Sequence, residues 1–352
     1  MTARSRRGMT AAGILALCGG FYIRGGVYDA GQDAWAAALL CTALLVPVTL
    51  WLGILARRAP GEGFFGVLRA ALPPWAARAA AAAAVLAALV SAVTTVQTFT
   101  VFLQSNILAD TPQCVTAAFL LTAALLPVRA GRRVLADWSA LLFAGAAALA
   151  GTLLAFSVSR FDPANLRPVL ASPEGLLSGT LRMLPAWLWM LLPLTALFPG
   201  GEGRFPLLPC LLAAGGFTAA VFAANTLVLS PAVTGSIRYI TYYAASVIGA
   251  GEFFQHVEIL SAFVCQCAAL ASLAVQLLFL CQGLEALLSL PDGRRLAAPA
   301  ALLVYGLHAN LSYSAVEALS GGLRRAALLP PLLLLAAASL PGRRIRRKRR
   351  IR

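Results

Sequence analysis

The chain has 352 residues, of which 60% are hydrophobic and only 12% are Asp, Glu, Lys or Arg. A soluble surface carries about 25% charged residues, and the mean hydropathy of +0.82 points the same way: a water-soluble protein of this size is excluded. The formal net charge of +15 does not indicate nucleic acid, because eight of the 28 basic residues sit in the terminal RRIRRKRRIR, with no aromatic residue interleaved to stack a base; such a tail contacts anionic lipid and sets topology.

Ten apolar runs approach the roughly 20 residues that cross a bilayer as a helix: 10–28, 34–55, 79–104, 113–128, 138–158, 183–200, 206–229, 258–283, 296–311 and 326–341. The expectation is an all-α polytopic protein with one transmembrane domain over 1–341 and a basic tail over 342–352. Lys and Arg concentrate on the side that holds both termini, which places those termini in the cytoplasm by the positive-inside rule. The seven cysteines lie in apolar surroundings and read as small core residues. No disulfide, metal site or cofactor is expected, and no nucleophile–base pair, His/Cys metal spacing or glycine loop on a strand suggests an enzyme.

The first run is interrupted by CGGFYIRGGV, Cys18 to Val27. Counting about 1.5 Å per residue from Gly8 or Met9 puts Gly19 and Gly20 about 16 Å in, near the midplane, and Arg24 near the outer boundary. Between the second and third runs, GFFGVLRAALPPW (Gly63 to Trp75) is too short to span and reads as an interfacial helix. The third run is unusually polar, with Thr94, Gln97 and Thr98 on one face by i, i+3 and i+4 spacing.

The fifth and sixth runs are separated by a long outer connection, 159–182. In the sixth run Trp189 and Met190 flank Pro193, about 15 Å from Met183 by the same count. Proline removes a backbone bond and clashes with the preceding turn, so runs one and six share a breaker at matching depth. Trp187 reads as an interface-belt residue. A second outer connection, 230–257, is expected to contain a short helix. In the eighth run Gln266 is the polar side chain taken to lie deep in the helix, and His256 with Glu258 forms a solvated pair at its entry. Asp33 is expected to cap the second run.

Runs one and six each open a set of five. Inverted five-plus-five transporters bind substrate at helices interrupted in corresponding positions of the two halves, and unwound backbone is tolerated in a bilayer where it is buried or lines a wet cavity. The repeats would cover about 8–158 and 183–341. The candidate ligand-binding residues are Gly19, Gly20, Phe21, Thr94, Gln97, Thr98, Trp189, Met190, Pro193 and Gln266. A second reading stays open: glycine pairs also mark close helix packing, and Ser, Thr and Gln also bond across helices.

Three segments carry a family resemblance: the glycine-broken first run leading into GQDAW (Gly31 to Trp35), FDPANLRPVL (Phe161 to Leu170), and GEFFQHVEILSAFV (Gly251 to Val264). With them the chain resembles the spore germination permease family, GerAB-type B subunits of nutrient germinant receptors in the amino acid–polyamine–organocation superfamily. It departs from the family in carrying His256-Val257-Glu258 in place of an arginine–acid pair, in lacking a glutamate in PAWLWMLLP, and in Arg24. The resemblance implies a LeuT-like fold and a receptor subunit in the inner membrane of a dormant bacterial spore. It also implies a bound small nutrient, commonly an amino acid, a larger A-type membrane subunit and a C-type lipoprotein subunit as partners, and a germination signal. The alternative is a stand-alone permease of amino acids or related metabolites. Ionisable residues at depth mark proton-coupled pumps, and their scarcity favours the sensor.

Overall fold

The computed structural model describes residues 3–19, 30–58, 63–198, 206–248, 256–290 and 293–319. Regular structure among them is entirely helical. A bilayer demands that each backbone N–H and C=O be satisfied within the segment, and the long charge-free runs do so as helices. The helices are α1 (Ala3–Cys18), α2 (Ala34–Arg58), α3 (Gly63–Ala71), α4 (Pro74–Asn106), α5 (Gln113–Ala130), α6 (Arg132–Ser157), α7 (Pro173–Leu194), α8 (Leu207–Val228), α9 (Pro231–Ser236), α10 (Ile240–Val247), α11 (Glu258–Leu288) and α12 (Ala297–Asn310). Among the described residues, seven helices are long and apolar enough to cross a membrane, and the protein is a polytopic membrane protein. The first and ninth runs appear as the shorter α1 and α12. The run 326–341, the tail, and Gly20, Phe21, Arg24 and Gly251–Gln255 lie outside the described residues.

α11 is the centre of the bundle and packs against α1, α4, α5, α6, α10 and α12. α2 pairs with α7 and α8, and α5 with α12. α6 is peripheral: it buries one side on α1 and α11 and leaves Leu141, Leu154 and Val158 exposed, which suits a helix facing lipid.

Three placements bear on the site and differ from the sequence expectation. The sixth span starts ten residues before Met183, at Pro173, because Ser172 Oγ accepts the Gly175 N–H at 3.0 Å and caps a helix opened by Pro173 and Glu174. Proline at the first position and an acid in the first turn are favourable there. Pro193 is therefore about 30 Å along its helix, and Gly19 about 24 Å from Ala3. Trp187, consequently, is not near the outer end of the helix but buried well inside the bundle. Trp75, finally, belongs to α4. The short helix before it, α3, packs Phe64 and Phe65 onto Phe279 of α11, with ring centroids 5.6 and 4.9 Å away.

The outer connections are ordered where described. Asp33 does not end as a local helix cap. Its two carboxylate oxygens accept the Leu170 and Ala171 N–H groups at 2.8 and 2.9 Å, and Gln32 donates to Pro168 O at 2.7 Å. GQDAW thus clasps FDPANLRPVL across one end of the bundle. Leu170 has φ +57°, a left-handed conformation uncommon for a side-chain-bearing residue, and its bonded N–H holds it there. The 230–257 connection contains α9 and α10. Tyr239 and Tyr242 stack edge-on against Phe102 at 5.2 and 5.6 Å, and Arg238 lies over the Tyr239 and Tyr313 rings.

Candidate functional site

The first interruption is made by close backbone approach. α1 ends at Cys18, and the Gly19 N–H closes on Leu15 O at 2.9 Å. A Cβ on Gly19 would stand 2.6 Å from Ala268 O and 2.8 Å from Ser272 Oγ, both on α11. Only a residue without a side chain lets the end of α1 lie so close to that helix. Ser272 Oγ then donates to Ala16 O at 2.8 Å, fastening the last turn of α1.

The second interruption is made by proline and an amide. α7 runs to Leu194 and tightens into a 3₁₀ turn over Thr195–Leu197. Pro193 has no N–H to offer Trp189 O, four residues before it, and the α-helix ends one residue after the proline. Two side chains take up carbonyls there: Thr195 Oγ1 donates to Leu192 O at 2.6 Å and Gln282 Nε2 of α11 donates to Ala196 O at 3.2 Å.

The two helices meet. The Cβ position of Gly13 on α1 lies 3.6 Å from Leu194 Cδ2. Close by, the Gln276 amide of α11 lies 3.2 Å from the hydroxyls of Ser91 and Thr95 on α4, with Nε2 3.9 Å from Met190 Sδ on α7. Gln276 is 3% exposed, so this amide–hydroxyl–thioether cluster is a buried junction of α4, α7 and α11.

The residues expected from sequence are placed as follows. Met190 joins the Gln276 cluster. Gly19 sits against Ala268 and Ser272, and Pro193 sits at the end of α7. Thr94 and Thr98 donate to Val90 O and Thr94 O in their own helix, at 2.7 and 2.8 Å. Gln97 and Trp189 are buried, 4% and 2% exposed, and Gln97 Oε1 and Trp189 Nε1 have no hydrogen-bond partner among the described residues; nor has Gln266 Oε1. Gly20 and Phe21 lie outside the described residues. His256 Nδ1 and Glu258 Oε1 are 2.9 Å apart with the His256 side chain exposed.

Sequence reasoning passed over Gln276, Ser272 and Gln282. A signal was present: Ser272 and Gln276 are one helical turn apart, on a single face of the eighth run. Among the described residues no three His, Cys, Asp or Glu side chains gather as a metal site.

The arrangement is chemically uncharged. Its polar atoms are amides, hydroxyls, an indole N–H and helix ends, which can hold a small polar molecule by hydrogen bonds and dipoles but supply no acid, base or nucleophile. No curated protein matches the chain. Residues 14–194 match the family described as spore germination protein, Spore_permease, a stretch that takes in GQDAW, FDPANLRPVL and both interrupted helices through Leu194. That stretch is half of the sequence, and the chain is an integral membrane protein of the spore germination permease family.

Proposed function

We propose that the protein is the B-type subunit of a germinant receptor, binding a small nutrient of the amino-acid class between the ends of helices α1 and α7 against α4 and α11. The observation that carries this reading is that the ends of α1 and α7 both lie against α11, the first at Ala268 and Ser272 and the second at Gln282, with Gln276 between them. On the same three helices, α4, α7 and α11, Gln97 Oε1, Trp189 Nε1 and Gln266 Oε1 are buried without partners among the described residues. A buried polar atom without a partner costs about 1–3 kcal/mol, and a bound amino acid with donors and acceptors offsets that cost. The same dipolar helix ends suit a zwitterion.

A LeuT-like five-plus-five repeat is part of this reading. Its support is the pattern of helix pairs. If spans one to five are exchanged for spans six to ten, the α1–α8 pairing becomes α7–α2, the α5–α11 pairing becomes α12–α4, and α4–α5 becomes α11–α12; all are present. The pairs α1–α7, α2–α8, α4–α11 and α5–α12 map onto themselves and are present too. α1–α11 has no comparably extensive α4–α7 counterpart, which makes α11 the common wall of both interruptions. Both termini are placed in the cytoplasm or spore core, the membrane is the inner membrane of the spore, and an A-type membrane subunit and a C-type lipoprotein complete the receptor.

Among the described residues Asp33 is the one fully buried carboxylate, and its two oxygens hold the outer connection. That favours a sensor over a proton-coupled transporter, since pumps keep acids at depth. A ligand shifts a two-state protein only by its differential affinity for the states, so nutrient binding must favour one arrangement of the α1 and α7 ends.

The test is a thermal-shift screen of free amino acids on the purified chain, repeated with Gln97→Leu and Trp189→Phe. If Gln97 Oε1 and Trp189 Nε1 await a ligand, Gln97→Leu leaves the empty protein as stable as before or more so, and both variants weaken the response to the active amino acid by about tenfold or more. Variants that lose stability while keeping the response would overturn the site. Uptake of that amino acid by proteoliposomes holding this chain alone would replace the sensor with the permease.

A further inference from the structure

A cavity lies beside Ser261, about 22 Å along α11 from Gln276. It is walled by the last turns of α6 and α8, by α10 and by the first turns of α11, and has a volume of about 140 Å³. That position is the end of the bundle where the 159–182 and 230–257 connections emerge. None of its lining residues belongs to the nutrient junction.

Small side chains keep it open. Ala150 of α6, Ala220 and Ala224 of α8, and Ala244 and Ala245 of α10 stand in its wall, in place of the larger apolar residues that close a packed interior. α6 and α8 meet only briefly, and the cavity opens between them. Leu154 and Ala220 at that opening are exposed, on the side where α6 faces lipid. A molecule entering here comes from the bilayer.

The lining contains no ionisable side chain, and most of its hydrogen-bonding side chains are engaged. Ser157 Oγ donates to Leu153 O at 2.7 Å, and Asn225 Nδ2 donates to Thr241 Oγ1 at 2.9 Å. Ser261 differs from them. It is 1% exposed, and its Oγ has no hydrogen-bond partner among the described residues. An apolar cavity of about 150 Å³ stays dry and binds benzene, so this one has room for a single six-membered ring and little more. A zwitterion would lose its hydration there with no countercharge in the wall, which excludes the free amino acids of the nutrient reading. A lipid acyl chain suits the alanines but leaves the Ser261 hydroxyl without a partner, which is costly for a buried polar atom. A ring carrying one hydroxyl meets both demands, because a hydroxyl can donate and accept.

We infer that this cavity is a binding site for a neutral, membrane-soluble molecule of benzene size with one hydroxyl group, a phenol in kind, and that Ser261 is its hydrogen-bonding partner. Such a molecule touches α6, α8, α10 and α11 together, so its binding stabilises their arrangement. The site shares neither residues nor ligand chemistry with the nutrient junction and stands or falls separately from it.

The experiment uses the full chain in phosphatidylcholine nanodiscs, titrated with phenol and in parallel with benzene, and reads the thermal midpoint. Ser261→Ala removes the hydroxyl, and Ala224→Leu fills the space. Ser139→Ala is the matched control: Ser139 is 0% exposed and its Oγ also lacks a partner among the described residues, but it lies outside the cavity. The expected result is a saturable rise of the midpoint with phenol in the parent and in Ser139→Ala, and none in Ala224→Leu. In Ser261→Ala the preference for phenol over benzene should fall by about three- to tenfold, the loss expected for one neutral hydrogen bond; taking the ratio cancels the partition of each compound into lipid. No saturable rise in the parent, as when a lipid chain holds the cavity, overturns the site. So does an equal response in the parent, Ser261→Ala and Ala224→Leu, as when phenol acts on the bilayer alone. Should Ala224→Leu fail to fold, the phenol-to-benzene ratio in Ser261→Ala against Ser139→Ala decides it.

Discussion

The two interrupted helices end by opposite means. α1 ends where a side chain is missing: Gly19 lets backbone meet backbone, with Ala268 O and Ser272 Oγ occupying the space of a Cβ. α7 ends beside a proline, and carbonyls on either side of it are taken up by side chains: Leu192 O by Thr195 and Ala196 O by Gln282 from α11. The first end is fixed by shape, the second by hydrogen bonds. Interiors are close-packed and yield little, whereas an interhelical hydrogen bond in a membrane is worth about 0.6 kcal/mol on average and up to about 1.7. Of the two, the α7 end is the easier to move, and a ligand lodged between them would do most of its work there.

Changes to the two ends sharpen or break that contrast. The largest effect is expected from Gly19→Leu. Ala268 O is backbone and cannot step aside, and overpacking costs about 1–3 kcal/mol or more, so the thermal midpoint of the purified protein should fall sharply and the nutrient response should disappear. A variant as stable as the parent would show that the α1 end is not fixed by shape. Gln282→Leu comes next. It strands Ala196 O, costing about 1 kcal/mol, and should speed amide hydrogen exchange at residues 195–198 while leaving exchange in α1 unchanged. Equal loosening of both helices would break the contrast. Ser272→Ala is expected to be mildest, about 0.6 kcal/mol or less, because Gly19 packing remains after the hydroxyl bond to Ala16 O has gone. A loss larger than that of Gln282→Leu would reverse the order of the two ends.

The helices were legible in the sequence because length and apolarity alone commit a segment to a bilayer. Nine of the ten runs correspond to helices among the described residues, within a few residues at most ends. The exception, the start of α7, had its own signal in Ser172-Pro173-Glu174; it was hidden because the segment Pro173–Arg182 is less apolar than the run that follows. That helices end near Gly19 and Pro193 was legible because glycine and proline act on the backbone they belong to. Their depths were not, since a count along one helix needs the true start of that helix.

Side-chain partnerships were the least legible. Asp33 has the composition of a helix cap, yet its oxygens bond residues 137 and 138 positions away. Gln276 differs from Gln266 in nothing that sequence displays. What separates them is the rotation of α11, which turns Gln276 onto Ser91, Thr95 and Met190 and leaves Gln266 half-buried with an unpartnered oxygen.

The sequence by itself determined that this is a membrane protein, the order of its described helices, near which residues two of them end, and the family to which it belongs, because each follows from local hydropathy, backbone chemistry or motif. The tertiary structure decided which polar groups meet, that both of those helix ends lie against α11, and that α6, α8, α10 and α11 wall a cavity beside Ser261. Those outcomes depend on how helices far apart in the chain rotate and nest against one another, and that is set by the shapes of whole packed faces, which no single segment contains.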